Sequence, residues 1–367
     1  MSWKFWRKRR KPRRQRSTTG EAVRIIVFGT IIWLVVRTFF IQAFVIPSGS
    51  MEGTLLVGDY LVVNKLSYGA RVPITPIAIP FTGANIPKTT LKSYWDGWQI
   101  PYFRLPGFGK IQRGDVVVFN YPMETDTPLR RPIDEQTDYI KRAVAIAGDT
   151  MMISEGQIYI DHKKEPNPPE SEPSYLVKTD STGLNSALFD KLHISLMQLY
   201  AFHYYQLIMT RKTADILRKY PHIKFVREYY QLPGIYDPDV FPFDLRLKWN
   251  ADNLGPIIIP KKGMTIQLDS LNFPIYQRAI AVYENNKVEQ HGNAIYINGK
   301  KTDSYTFKMD YYWMMGDNRH NSEDSRYWGF VPEDHIIGKA AFTWLSTDSS
   351  KSFFHKFRWG RVFKGIH

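Results

Sequence analysis

The chain has 367 residues, 43% hydrophobic and 23% charged, which describes an ordinary globular protein with a sizeable core, in one domain or two, and excludes a disordered one. It holds no cysteine, so thiol nucleophiles, disulfides, iron–sulfur clusters and cysteine-ligated zinc are excluded. The net charge of +14 admits nucleic acid as a partner by its sign alone, but the charge is unevenly spread.

The first element is a basic tail over residues 1–19, with Lys4, Arg7, Lys8, Arg9, Arg10, Lys11, Arg13, Arg14 and Arg16. No nucleic-acid recognition motif follows it, so no nucleic-acid partner is assigned. A basic run directly before an apolar segment fits a cytoplasmic anchor against anionic lipid better. That segment is uncharged from Ile25 to Val36, and residues 20–37 make a usable transmembrane helix if Glu21 and Arg24 snorkel to the inner interface. A cleaved signal peptide is the competing interpretation, but no Ala-x-Ala-like site follows promptly. The positive-inside rule then predicts a single pass, with a cytoplasmic N-terminus and everything after about residue 40 outside. Phe39–Ile46 would continue past the bilayer, with Phe39, Phe40 and Phe44 placed to dip into its interface.

Beyond residue 45 the predicted elements are strands: Asp59–Lys65, Asp115–Phe119 and Tyr139–Ile146. The 22 Tyr, 22 Phe and 10 Trp favour strands and a peptide-binding or interfacial surface. A segment at about 70–110, rich in Pro, Gly and aromatics, predicts extended loops over the core. GQIYIDHKKE at Gly156–Glu165 echoes NAIYINGKKT at Asn293–Thr302, and Asn298-Gly299 is a type I′ hairpin signal. Between the echoes, residues 185–232 read as partly helical, with Thr213 capping TADILRKY, and 237–275 is proline-rich. The predicted organisation is a β-rich core at 38–164 and 291–345, an inserted α+β subdomain at 165–290 and a basic C-terminal tail at 346–367.

Three segments carry possible chemistry. In Ile46–Leu56, IPSGSMEGTLL, Gly49 permits an unusual turn that exposes the Ser50 hydroxyl, with Ser48 two residues earlier. Ser-Gly-Ser is also a common turn. In Asp138–Arg142, DYIKR, Lys141 is either a solvent-facing strand residue or a buried base. To act as a base it must be neutral, its pKa falling from about 10.4 to near 8, a cost of about 3 kcal/mol against the charged form that burial can supply. A serine activated this way needs no histidine or aspartate. In Gly316–Gly329, GDNRHNSEDSRYWG, a solvated loop competes with one that orients a catalytic pair through Asp317, Asn318, Arg319, Ser322, Asp324 and Arg326. The nine histidines show neither HExxH nor HxH spacing, so no metal is assigned, and nothing implies a cofactor.

In this order these segments, with RGDVVVF at Arg113–Phe119, resemble the bacterial type I signal peptidases: IPSGSM-x-x-TLL-x-GD, DYIKRAV-x-x-x-GD and MMGDNR-x-NS-x-DSRYWGFVPE. The resemblance implies a mainly β fold, an antiparallel sheet or barrel core behind a transmembrane helix. It implies Ser50 as nucleophile, Lys141 as general base, Ser48 in the oxyanion hole, Ser322 holding the lysine amine, and Asp324 with Arg326 as a supporting ion pair. Ile46, Met51, Leu55, Tyr139 and Ile140 align with residues lining apolar pockets for small side chains at positions −1 and −3 of the cleavage site. Secretory preproteins and the lipid bilayer become the implied partners, near the protein-export machinery. The implied location is the bacterial inner membrane, with the catalytic domain on the periplasmic side. His320 stands where an acidic residue is common and receives no catalytic role, and Glu52-Gly53 replaces a common proline, which implies a less rigid turn after Ser50. A self-cleaving Ser/Lys repressor would need a DNA-binding domain and no anchor. A catalytically silent membrane scaffold would usually have lost the serine or the lysine.

Overall fold

The computed structural model describes residues 18–79, 82–126, 131–200, 203–349, 351–352 and 355–366. Residues 1–17 of the predicted basic tail lie outside the described residues.

Helix α1, Thr18–Phe39, exposes nearly all of its apolar side chains and is long and apolar enough to cross a membrane. At about 1.5 Å per residue its 22 residues cover roughly 33 Å, and Arg37 in the last turn sits over the Trp33 ring at 5.2 Å. The chain does not continue as an apolar run. It turns at Phe40 into an edge strand, β1 (Ile41–Val45), whose Phe44 is half-buried against the core, so of the three phenylalanines only Phe40 remains fully exposed.

The remaining strands are β2 (Asp59–Asn64), β3 (Val116–Asn120), β4 (Asp138–Ala145), β5 (Thr150–Ser154), β6 (Gln157–Ile160), β7 (Lys163–Lys164), β8 (Ser174–Thr179), β9 (Ser195–Tyr200), β10 (Tyr204–Ile208), β11 (Ile223–Glu228), β12 (Leu254–Ile258), β13 (Thr265–Gln267), β14 (Val288–His291), β15 (Ala294–Ile297), β16 (Lys300–Thr302), β17 (Ser304–Thr306), β18 (Tyr311–Met315), β19 (Val331–Pro332), β20 (Ile336–Ser346) and β21 (Lys364–Gly365). The fold is mainly β, as the sequence predicts. The main sheet is antiparallel in the order β1-β2-β20-β3-β4-β18-β19, with β21 added beside β20. Its centre, β3 (VVVFN), is buried at every position, whereas β2 alternates buried and half-buried residues as a strand with one covered face should.

Two backbone edges of this sheet stay free. Strand β1 pairs only with β2, and β18 pairs with β4 only from Arg142 onward, leaving the outer side of Asp138–Lys141 unpaired. The two free edges share a cleft of about 870 Å³.

The echoed sequences are both hairpins. Asn298-Gly299 has φ of 52° and 78°, and Asp161-His162 has 50° and 65°, each placing two left-handed residues in a two-residue turn. The first hairpin belongs to the sheet β12-β5-β6-β7 and the second to β14-β15-β16.

Segment 165–290 divides between two cores. Residues 174–228 build a separate sheet, β11-β8-β10-β9, over their own apolar cluster around Tyr175, Val177, Leu207 and Leu217. Residues 240–280 instead pack into the cluster that holds Val144, Ile158, Trp313 and Phe330. The helical expectation for 185–232 is corrected: only α2 (Ser186–Leu192) and α3 (Arg211–Leu217) are helical there. The cap of α3 is Thr210, extended at φ −68° and ψ 157°, whose hydroxyl accepts from Thr213 N at 3.1 Å. Thr213 is three residues inside the helix, where it supplies a donor instead of capping one. The 70–110 segment does run as extended loops, fixed by Arg104, which donates to Gly69 O, Glu333 O and Ile336 O.

Candidate active site

The nucleophile candidate lies in a short 3-10 turn, Gly49–Met51, immediately after Ile46 enters the core. Met51 and Leu55 are fully buried among Leu61, Val63, Val116 and Val118, and Leu55 N donates to Met51 O. These two apolar side chains anchor the turn from beneath. That corrects their assignment as pocket residues, because neither reaches the cleft.

On the exposed side of the turn, Lys141 Nζ lies 2.5 Å from Ser50 Oγ. Lys141 sits on β4 opposite Val117 of β3 and is only 3% exposed. Burial pushes its pKa down to about 8, while the carboxylates of Asp324, Glu323 and Asp317 pull the other way and Arg326 adds to the lowering. A lysine in this position spends a large part of its time neutral near pH 8 and can accept the Ser50 proton.

The loop after β18 holds the turn. Asn318 N donates to Ser50 O at 3.2 Å, and Asn318 Nδ2 donates to Gly49 O at 3.1 Å. Asp317, fully buried, accepts from Arg142 through both oxygens, Nε to Oδ1 at 2.8 Å and Nη2 to Oδ2 at 2.7 Å. Thr54 Oγ1 donates to the same carboxylate at 2.6 Å. The loop is therefore tied to β4 beside Lys141 and to the turn beyond Ser50. Gly316 leaves no room for a side chain, since a Cβ there would collide with Ser50 O and Ser322 Oγ.

Behind this layer, Asp324 and Arg326 form a buried two-point ion pair, with both contacts at 2.8 Å. Asp324 caps α5 (Ser325–Trp328) and accepts from Gly316 N at 3.0 Å. Burial alone would raise the Asp324 carboxyl, but Arg326 and the Gly316 amide hold it below the ordinary aspartate value. Arg326 also donates to Arg319 O.

The other predicted residues are placed less simply. Ser322 lies beside Gly316 and is buried, but its hydroxyl makes no hydrogen bond, so the expected contact with the lysine amine is not formed here. Ser48 precedes the turn, with its side chain exposed. Ile46, Tyr139 and Ile140 line the cleft between the free edges. The Tyr139 ring stacks on Tyr121 at 4.6 Å and meets Trp328 edge-on at 5.5 Å, so aromatic packing fixes that wall.

His320 is structural: its Nδ1 accepts from Ser174 N at 3.0 Å, and Nε2 faces Asp252 Oδ1 at 3.1 Å. It fastens the loop to the start of β8, alongside the backbone bonds from Glu172 N to Asp317 O and from Arg319 N to Glu172 O.

The sequence analysis missed the roles of Arg142 and Thr54. The available signal was the adjacent pair Lys141-Arg142 on one apolar strand, because two buried cations require at least one buried carboxylate. Arg361 was missed as well: it donates to Asp59 and to Thr54 O, so the C-terminal tail braces the same turn.

Gly53 corrects the expectation of a loosened turn. Its φ is 90°, and a Cβ would collide with Glu170 O. Gly53→Ala is expected to destabilise the protein by about 2 kcal/mol or more, from left-handed strain and overlap together. Thermal unfolding in detergent measures this, and an unchanged midpoint would show that the turn can move aside.

Among the described residues, no cluster of three or more His, Asp or Glu side chains could hold a metal ion. A family model for signal peptidase, peptidase S26, matches residues 19–194 and 302–345, more than half of the chain. The chain is 29% identical over 325 residues to signal peptidase I of Buchnera aphidicola subsp. Schizaphis graminum, covering 88% of this chain and 73% of that protein. To signal peptidase I of Haemophilus influenzae it is 27% identical, covering 90% and 71%. To that of Helicobacter pylori it is 25% identical, covering 92% and 90%. The unmatched stretch 195–301 contains β9 to β15.

Proposed function

The chain belongs to the signal peptidase family of serine endopeptidases, peptidase S26, and we propose that it removes N-terminal signal peptides from exported preproteins with Ser50 as nucleophile and Lys141 as general base. The observation that carries the residue assignment is the buried Lys141 amine at 2.5 Å from the Ser50 hydroxyl.

Neutral Lys141 takes the hydroxyl proton as Ser50 Oγ attacks the carbonyl carbon of the scissile bond. The oxyanion that forms meets the Ser50 backbone N–H and the Ser48 hydroxyl, and such donors usually supply the largest single share of rate enhancement. Lys141 then carries a positive charge, steadied by the nearby Asp324 carboxylate. It returns the proton to the leaving amine as the acyl-enzyme forms and the mature protein departs. Lys141, neutral again, deprotonates a water that attacks the ester, releasing the signal peptide and restoring Ser50. Ser322 assists by rotating its free hydroxyl onto the amine.

The substrate adds as an extended strand between the free edges of β1 and of Asp138–Lys141, where alternate side chains face the same wall. Ile46 and Ile140 close that wall near Ser50, which supports small residues at −1 and −3. Helix α1 anchors the enzyme in the membrane. The basic tail before it supports a cytoplasmic N-terminus in a bacterial inner membrane, with the catalytic residues on the periplasmic side, near the export machinery.

The test is cleavage of a preprotein with Ala at −1 and −3 by the full chain in detergent. One cut after −1 is expected, with Trp at −1 slowing it by about 100-fold or more through exclusion from the pocket. Equal rates for Ala and Trp would contradict the pocket assignment.

A further inference from the structure

We propose that the arm formed by residues 76–98 lies in the lipid interface at the C-terminal end of α1, making the bilayer, beyond the span itself, a second docking surface of the enzyme. The inference rests on the membrane-anchor role of α1. The arm is a two-stranded excursion from the β core, held by Trp95 N to Ile77 O at 2.9 Å, Ile79 N to Ser93 O at 2.7 Å and Ile86 N to Leu91 O at 2.9 Å. Ala78 opposes Tyr94, so Ile77 and Trp95 oppose each other on one face, which Ile79 shares.

Those side chains find no protein to cover them. Ile77, Ile79, Leu91, Trp95 and Trp98 are each between 47% and 64% exposed, although they sit on 23 consecutive residues of well-formed backbone. Water alone is a poor environment for so much apolar surface in one element. Lys88 at the tip and Lys92 on the return strand complete a mixture of tryptophan, branched aliphatic and lysine side chains that suits the boundary between headgroups and acyl chains.

Continuity with the anchor selects the bilayer over a protein partner. A recess of about 280 Å³ is lined by Leu34, Arg37 and Thr38 of α1 and by Pro76, Ala78 and Ile79 of the arm, so the arm lies against the end of the helix. The same recess exposes Arg37 and Lys65 together with Glu135 and Asp138, and none of these cations pairs directly with either carboxylate. Charges of both signs, open and unpaired, match a layer of phospholipid headgroups and not an apolar protein face. The arm and the end of α1 thus bracket the depth at which a spanning helix leaves the hydrocarbon.

The absence of cysteine makes the test direct. Leu91→Cys and Trp98→Cys, each in the full chain, are labelled with a fluorophore and reconstituted into phosphatidylethanolamine–phosphatidylglycerol vesicles containing lipids with quenchers at known depths. Asp190→Cys in α2 serves as the comparison. Both arm probes are expected about 5–10 Å into the headgroup–acyl boundary, with the position-190 probe in water. Arm probes as unquenched as the position-190 probe, in protein that floats with the vesicles, would overturn the inference while leaving the anchor intact. Quenching at all three positions would also overturn it, by removing any special role for the arm. Protein that does not float with vesicles would refute the anchor, and the inference with it. Two independent arm positions guard against a single misfolded variant.

Discussion

Lys141→Met is expected to lower preprotein cleavage by about 10,000-fold while raising, not lowering, the stability of the protein. The loss follows from removing the only base within hydrogen-bond reach of Ser50 Oγ among the described contacts. The gain follows from the same burial that tunes the amine. Unfolding restores Lys141 to an ordinary lysine pKa of 10.5, against about 8 in the folded chain. Below pH 8 the folded state holds a charged amine in a dry site, at a cost of up to about 3 kcal/mol that methionine does not incur. Between pH 8 and 10.5 the unfolded chain binds more protons than the folded one, so wild-type stability rises with pH and the difference from the variant closes. Activity and thermal unfolding measured on the same preparations check both halves. A variant that lost activity because it had unfolded would contradict the assignment of Lys141 as a base.

Asp317→Asn should produce the opposite pattern, losing about 3–5 kcal/mol of stability together with most of the activity. It leaves the Arg142 guanidinium buried beside a neutral amide and removes a charged acceptor from Thr54 Oγ1. Because Asn318 is the next residue and holds both Gly49 O and Ser50 O, the loop's displacement transmits to the nucleophile. Arg142→Met combined with Asp317→Leu removes both charges and is expected to recover most of the stability without the activity. If the double variant regained activity as well, the pair would be dispensable for holding the turn.

These two residues also show where sequence stops informing. Strands β2, β3 and β4 were visible as β-branched runs between turn residues, and Ser50 and Lys141 were visible because few other pairs of groups can perform this chemistry without histidine. Met51 and Leu55 were misplaced because an apolar residue beside a nucleophile has the same sequence signature whether it lines a cleft or plugs the core. Only burial separates the two. Residues 185–232 read as helical because Leu, Lys and Asp suit helices, yet cross-strand packing around Tyr175 and Leu207 outweighed that propensity. Thr210 and Thr213 are equivalent as capping residues in sequence, and the start of α3 decides between them. Arg361 looked like part of a solvated tail because its partner Asp59 lies 302 positions away.

The central claim is that Lys141 works as a neutral base at a depressed pKa, and the pH dependence of kcat/KM for preprotein cleavage measures it most directly. The rate should rise about tenfold per unit below an inflection near pH 8 and level off above it, because only the deprotonated amine can accept the Ser50 proton. An inflection near 10.5, the value of an unburied lysine, would contradict it.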